Sequence, residues 1–292
     1  MRELFLHYLE SERNYSDKTL VSYRNDLIQF EEYLKINCPE VEYQEVDADI
    51  VRGWVMHLMD NGYTETSVNR KLSSLRSFYK FLLKKKYVKS DPLRLVSGPK
   101  KKKPLPVFVR EADMDKLLDE VDLGDDFQGV RDKLILQMFY ETGVRLSELV
   151  SLDDCDVDLS TQLIKVTGKR NKQRYIPFGL SLKTAVGRYV GLRNDTCTRV
   201  GDAFFVRKDG SRLSPIMVYE VVKRNLSKVV TLKKRSPHVL RHSFATAMLN
   251  NDAGLESVKE LLGHESLTTT EVYTHTTFEE LKKVYKQAHP RA

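Results

Sequence analysis

Four short polar clusters hold the residues whose types and spacing could do chemistry. In SPHVLRHSFAT, residues 236–246, Ser236 and Pro237 suit the N-cap and first position of a helix. His238 and Arg241 then share one face, where an imidazole and a guanidinium near the positive helix end could grip a small anion. A structural reading stands beside this one: His238 caps and Arg241 pairs with a surface carboxylate. In ETGVRLSELVSL, residues 141–152, Arg145 and Glu148 stand three apart after a break at Gly143. They form either a surface ion pair or a guanidinium held for a purpose among Val144, Leu146, Leu149 and Val150, with Glu148 orienting it. The turn GKRNKQR, residues 168–174, carries Lys169 at its tip. This is solvated surface, or an ammonium that a β-turn could deliver to a sugar-phosphate oxygen in a minor groove. Finally LLGHESLTTTEVYTH, residues 261–275, sets His264 and Tyr273 nine residues apart, separated by hydroxyl residues that no apolar core would select. SLTTT can cap and start a short helix carrying the tyrosine.

A metal reading of this set fails in detail. His238 and His242 are four apart on a helix, but the position after the first histidine is Val239 rather than the glutamate of HExxH. Cys38, Cys155 and Cys197 are scattered and odd in number, without a CxxC pair, and read as free thiols of a reducing cytoplasm. The N-terminal sequence lacks a signal-peptide core, and no apolar run approaches the roughly 18 residues of a membrane span, so neither export nor membrane insertion is expected. A formal charge of +7 suggests a polyanionic partner, since cations that neutralise phosphates release condensed counterions.

The elements that must position these clusters fall into two groups, as 292 residues would suggest. From Ser16, Leu20, Tyr23, Leu27, Phe30 and Leu34 mark one face of a helix. Asp47 or Asp49 can cap a helix burying Ile50, Trp54 and Leu58, and Thr64 one carrying Val68, Leu72, Leu75, Tyr79 and Leu82. With a short opening helix near Leu4 to Leu9, a four-helix domain over 1–88 is expected. Residues 89–106, with several prolines and the run Lys100, Lys101, Lys102 and Lys103, read as an exposed basic linker. The lysines are a solvated tether or a strap along a phosphate backbone. Beyond it, 107–292 mixes helices near 111–121, 180–193, 214–228, 238–250, 255–262 and 277–287 with a hairpin of 161–168 and 172–178, and a short strand and turn in FFVRKDGSRLS. In RDKLILQMFYETG, Leu134 and Met138, with Leu136 and Phe139 as further candidates, face inward and Gly143 makes the C-cap.

Taken together, Arg145, Lys169, His238, Arg241, His264 and Tyr273, in this order and with these local contexts, resemble the tyrosine recombinase (phage integrase) family, and within it the Xer-type recombinases. The resemblance covers nearly the whole chain, including the ending AHPRA. It implies a mainly α fold with a small β-sheet: an N-terminal helical core-binding (SAM-like) domain, then a C-terminal α+β tyrosine recombinase catalytic domain. It also implies a DNA strand-exchange transesterase. Tyr273 would be the nucleophile forming an O-(3′-phospho-DNA)-tyrosine intermediate, while Arg145 and Arg241 bridge the phosphate oxygens and His264 adds a hydrogen bond. Lys169 would protonate the leaving 5′-oxygen, His238 would manage the tyrosine proton, and Glu148 would support from behind. Lys100, Lys101, Lys102, Lys103, Arg170 and Lys172 would hold the DNA backbone.

Because the phosphotyrosyl link conserves bond energy, neither a cofactor nor a metal is expected. The expected partners are a double-stranded DNA recombination site, a homotetramer or a heterotetramer with a related recombinase on two duplexes, a DNA translocase as activator, and no membrane. The expected location is cytoplasmic and nucleoid-associated. The last helix, with Phe278, Leu281 and Tyr285 on one side, either folds onto its own domain or is donated to a neighbouring subunit. An Xer-like role in chromosome or plasmid dimer resolution is expected over a mobile-element integrase, since the N-terminus leaves no room for an arm-site-binding domain. A non-catalytic DNA-binding module is the alternative of a different class.

Overall fold

The computed structural model describes residues 1–100, 107–168, 171–263 and 275–292, the last beginning with five residues, 275–279, described by backbone alone. The chain divides into two compact units, Met1–Pro104 and Leu105–Ala292.

The first unit holds helices α1 (Arg2–Ser11), α2 (Asp17–Asn37), α3 (Ala48–Asp60) and α4 (Glu65–Lys84). Asp47 starts α3 by accepting from the backbone N–H groups of Asp49 and Ile50, both at 2.9 Å, which satisfies two of its orphan donors. Thr64 caps α4 through Ser67 N–H at 3.3 Å. Ser16 occupies the N-cap of α2, but its hydroxyl meets Thr19 Oγ1 at 3.0 Å instead of the helix backbone. The apolar faces meet around Phe5, Phe30, Trp54, Leu72, Phe78 and Tyr79, with Phe30 edge-on to Trp54 at 4.9 Å. Two opposite charges lie inside: Asp26 accepts from the buried Lys71 Nζ at 3.1 Å and from Ser74 Oγ at 2.7 Å, and Arg70 closes the cluster, so the carboxylate is paired as burial requires.

The exposed linker expected from residue 89 is corrected over its first part. Leu93 and Val96 are buried in the core of the first unit. Arg76 donates to Val96 O at 2.7 Å, and Asn69 Nδ2 to Pro99 O at 2.9 Å. The prolines of this stretch shape a segment that lies on α4 instead of leaving it.

The second unit opens with α5 (Glu111–Asp115), which widens into a π turn at Lys116–Glu120. Then come α6 (Phe127–Thr142), α7 (Leu146–Ser151), strands β1 (Val157–Asp158), β2 (Leu163–Thr167) and β3 (Gln173–Pro177), and helices α8 (Leu180–Thr196), α9 (Pro215–Leu226), α10 (Pro237–Asn250), α11 (Leu255–Leu262) and α12 (His275–Ala288). Helix α6 is the hub. Its residues from Leu134 to Thr142 are all buried, Gln137 and Glu141 included, so this stretch has no water-facing side to set against an apolar stripe. The sheet is antiparallel in the order β1-β2-β3, with Val166 opposite Arg174 and Lys165 opposite Tyr175. FFVRKDGSRLS forms a turn closed by a single bridge, Val206 to Arg212, instead of a strand.

In the single chain α12 folds onto its own unit: Leu281, Tyr285 and Ala288 pack with Phe244, Met248, Val258, Leu261 and Leu262 of α10 and α11. The residues after it are tied down as well. His289 stacks on Tyr285 at 5.3 Å and on Phe244 at 5.5 Å, and Arg291 pairs with Asp115 and Asp119. Among the described residues, no helix is long and apolar enough to cross a membrane.

Candidate active site

The site is built where α6 ends, α7 begins, β3 runs alongside and α11 stops. Gly143 closes α6 in the left-handed region, with φ +60°. The next turn then puts Arg145 at the N-cap of α7 and Glu148 in its first turn. A side chain at 143 would suffer twice, since a Cβ there would stand 2.6 Å from Phe244 and 2.9 Å from Leu262. Gly143→Ala is therefore expected to lower unfolding free energy by about 2 kcal/mol in chemical denaturation. A variant as stable as the parent would mean that the α6 end relaxes freely.

Glu148 is the anchor. Its carboxylate is buried and accepts four hydrogen bonds: Arg145 N at 2.8 Å, Arg145 Nη1 at 2.7 Å, Arg174 Nη1 at 2.7 Å and Arg174 Nη2 at 2.9 Å. Four acceptor sites are all that a carboxylate has. Burial alone would push this carboxyl up, but the paired bonds from Arg174 and those from Arg145 outweigh it and hold it down at about 2.

Three arginines converge on the end of α11, each donating to a successive carbonyl. Arg174 Nε reaches Leu261 O at 2.9 Å, Arg241 Nη2 reaches Leu262 O at 2.6 Å, and Arg145 Nη2 reaches Gly263 O at 2.8 Å. The carbonyls at a helix C-terminus lack intrahelical partners and carry partial negative charge, so guanidiniums both satisfy and favour them. Arg241 also donates to Gly143 O. It is buried 8 % exposed, and desolvation, with the charges of Arg145 and Arg174 beside it, lowers its pKa to about 10. Among the described residues, three guanidiniums against one carboxylate leave a local excess of two positive charges, and Arg145 keeps 32 % of its side chain open to solvent. This arrangement can bind an anion.

The sequence-derived residues thus separate into groups. Arg145, Glu148 and Arg241 are brought together. His238 stands exposed in the first turn of α10, one turn before Arg241, with Ser236 at the N-cap and Pro237 at the first position. Lys172 is exposed beyond the hairpin turn, which Gly168 N–H closes on Lys172 O at 2.7 Å. A Cβ on Gly168 would lie 3.6 Å from Glu148 Oε1, so that strand end lies against the carboxylate. Lys100 is exposed in the first unit. Lys101, Lys102, Lys103, Lys169, Arg170, His264 and Tyr273 lie outside the described residues.

Arg174 was not among the expected site residues. Its signal was parity: along β3 the buried positions include Arg174 and Ile176, and a charge on the inward face of a strand needs a partner.

A small helical unit followed by an α+β unit with this arginine site defines a tyrosine site-specific recombinase, a DNA strand-exchange enzyme. The chain belongs to the Phage integrase family, which its residues 107–280 match, while residues 3–86 match the phage integrase N-terminal SAM-like domain. It is 41% identical to the tyrosine recombinase XerC of Chlorobaculum parvum, over 99% of this chain and 94% of that protein. It is 40% identical to the XerC of Listeria monocytogenes serotype 4a, over 100% of this chain and 98% of that one. Among solved structures, the fold is similar to the XerH site-specific recombinase bound to palindromic difH substrate in a post-cleavage complex, with a TM-score of 0.74, 22% identity, and 97% and 83% of the two chains covered.

Proposed function

We propose that the arginine site grips the scissile phosphate of a DNA recombination site and that Tyr273 is the attacking group. The Tyr273 oxygen forms a bond to phosphorus, the bond from phosphorus to the 5′-oxygen breaks, and the departing oxygen takes a proton from Lys169. Arg145 and Arg241 hold the non-bridging oxygens as negative charge builds on them, and His264 adds a donor. His238 receives the tyrosine proton, and Glu148 fixes Arg145. Lys100, Lys101, Lys102, Lys103, Arg170 and Lys172 hold the flanking backbone by charge. The observation that carries this reading is the placement of Arg145 and Arg241 on adjacent carbonyls, Gly263 O and Leu262 O, immediately before the segment that contains His264 and Tyr273.

Residues 1–88 serve as the core-binding domain and 107–292 as the catalytic domain. Full-length similarity to XerC proteins supports a role in resolving chromosome or plasmid dimers. The working assembly is four subunits on two duplexes, of this chain alone or with a related recombinase. A DNA translocase activates it at the nucleoid. On assembly, α12 leaves the groove of its own unit for that of a neighbour, exchanging one set of Leu281 and Tyr285 contacts for an equivalent set.

The test is incubation with nicked suicide duplexes carrying candidate recombination sites from a genome that encodes this protein. Wild type is expected to give a denaturation-resistant protein–DNA adduct whose cross-linked peptide contains residue 273. Binding without adduct on every bound site would leave only the DNA-binding alternative.

A further inference from the structure

We propose that Arg174 is a positioning residue for strand cleavage, holding Glu148 and the end of α11 so that Arg145 and Arg241 present their free N–H groups in one fixed geometry. This rests on the reading of Arg145 and Arg241 as the phosphate grip. The argument is one of shared anchors. Arg174 covers both oxygens of Glu148, and Glu148 in turn fixes Arg145 by its backbone and its guanidinium. Through Nε, Arg174 also holds Leu261 O, the carbonyl next to the one held by Arg241. One side chain on β3 therefore braces both arginines from behind.

Arg174 is itself unsuited to touch the phosphate. It is 7 % exposed, and three of its donors are already committed to Glu148 and Leu261. Gly263 leaves it room, since a Cβ at 263 would stand 3.1 to 3.2 Å from the Arg174 side chain. Lysine cannot replace it: an ammonium is a point donor and cannot span both Glu148 oxygens while reaching Leu261 O. Misplacing a phosphate-binding group by about an ångström costs on the order of 100-fold in rate.

Among the described residues, the charged groups facing Glu148 are Arg145 at the start of α7, Arg174 on β3 and Arg241 on α10. With Arg174 removed, burial is opposed mainly by Arg145, and the Glu148 carboxyl rises from about 2. Once protonated, Glu148 loses acceptor capacity and releases Arg145. An acid-side fall in rate should then enter where wild type shows none from this group.

The experiment uses the full-length protein and single-turnover cleavage of a suicide duplex that wild type cleaves. Arg174→Met is expected to cleave about 100-fold more slowly and Arg174→Lys about 10-fold, with DNA affinity within about threefold of wild type. From about pH 8 to about pH 5.5 the rate of Arg174→Met should fall relative to wild type. The double variant E148Q/R174M removes the stranded buried charge, which guards against misfolding. It should be no more than about threefold slower than the slower of Arg174→Met and Glu148→Gln alone, because the two residues act as one unit. Cleavage by Arg174→Met at the wild-type rate overturns the proposal. So do affinity losses that match the rate losses with an unmoved pH profile, or fully additive effects in the double variant.

If wild type itself forms no adduct, the functional reading fails separately. Phenylglyoxal labelling of the DNA-free protein, mapped to Arg145 by mass spectrometry, then decides the positioning role. Arg174→Met should raise labelling by about threefold or more, as a charge-assisted pair loosens, and unchanged labelling overturns it.

Discussion

Tyr273→Phe is expected to bind a recombination site as wild type does and to form no covalent adduct with it. The substitution removes a single oxygen and leaves every other side chain of the chain in place. What it removes is the atom that bonds to phosphorus in the proposed mechanism. Loss of a covalent nucleophile lowers turnover by on the order of 10⁶-fold in enzymes where it has been dissected, which puts the variant below detection in a cleavage gel. Affinity measured by mobility shift should stay within about twofold, because binding energy expressed equally before and during the reaction does not depend on the nucleophile. An adduct at normal yield would move the nucleophile to another of the 14 tyrosines. Loss of binding together with cleavage would mean that the Tyr273 hydroxyl has a structural role.

How much of this was legible in the sequence depended on whether a signal lived in periodicity or in tertiary packing. The four N-terminal helices announced themselves because each has one apolar face and one water-facing side, and Asp47 and Thr64 sit where a cap must be. The hairpin was equally plain, with β2 and β3 alternating about a glycine-bearing turn. Helix α6 gave only a partial list of inward residues, because a helix buried on all sides has no period to detect. Strand β1 is two residues long and exists only by pairing with β2, so nothing local marks it. Leu93 and Val96 were hidden by their neighbours: prolines and lysines signal exposure, yet these two apolar side chains pack into the core of the first unit.

At the site, the Arg145 and Glu148 pair was visible as an i, i+3 spacing amid apolar residues, and the structure shows the pair. The remainder of the anchor was not visible, since Leu261 O, Leu262 O and Gly263 O are backbone atoms and carry no residue signature. Arg174 was ambiguous until its strand register was known. A shift of one residue would have turned it to solvent as another basic hairpin residue.

Arg145→Ala and Arg241→Ala should each cost cleavage on the order of 3 kcal/mol or more, the effect of deleting a preorganised donor to a developing oxyanion. They should differ in what else they cost. Arg145 is one-third exposed, and Glu148 keeps both bonds from Arg174 when it is removed, so the carboxylate remains paired. The stability lost should be only about 1 to 2 kcal/mol, for the partly exposed bonds to Glu148 and Gly263 O. Arg241 is buried and satisfies Gly143 O and Leu262 O, which its removal leaves without that donor, and its side chain leaves a cavity behind α10. Stability should fall by about 2 to 4 kcal/mol, as for two stranded acceptors. Suicide-substrate rates set beside denaturant midpoints therefore separate the two roles. Both variants should lose cleavage, while only Arg241→Ala should melt markedly earlier. Near-normal cleavage by either variant, measured where it is fully folded, would sink the model of a paired arginine grip. Equal destabilisation by both would mean that Arg145, like Arg241, is mainly a strut of the α11 end.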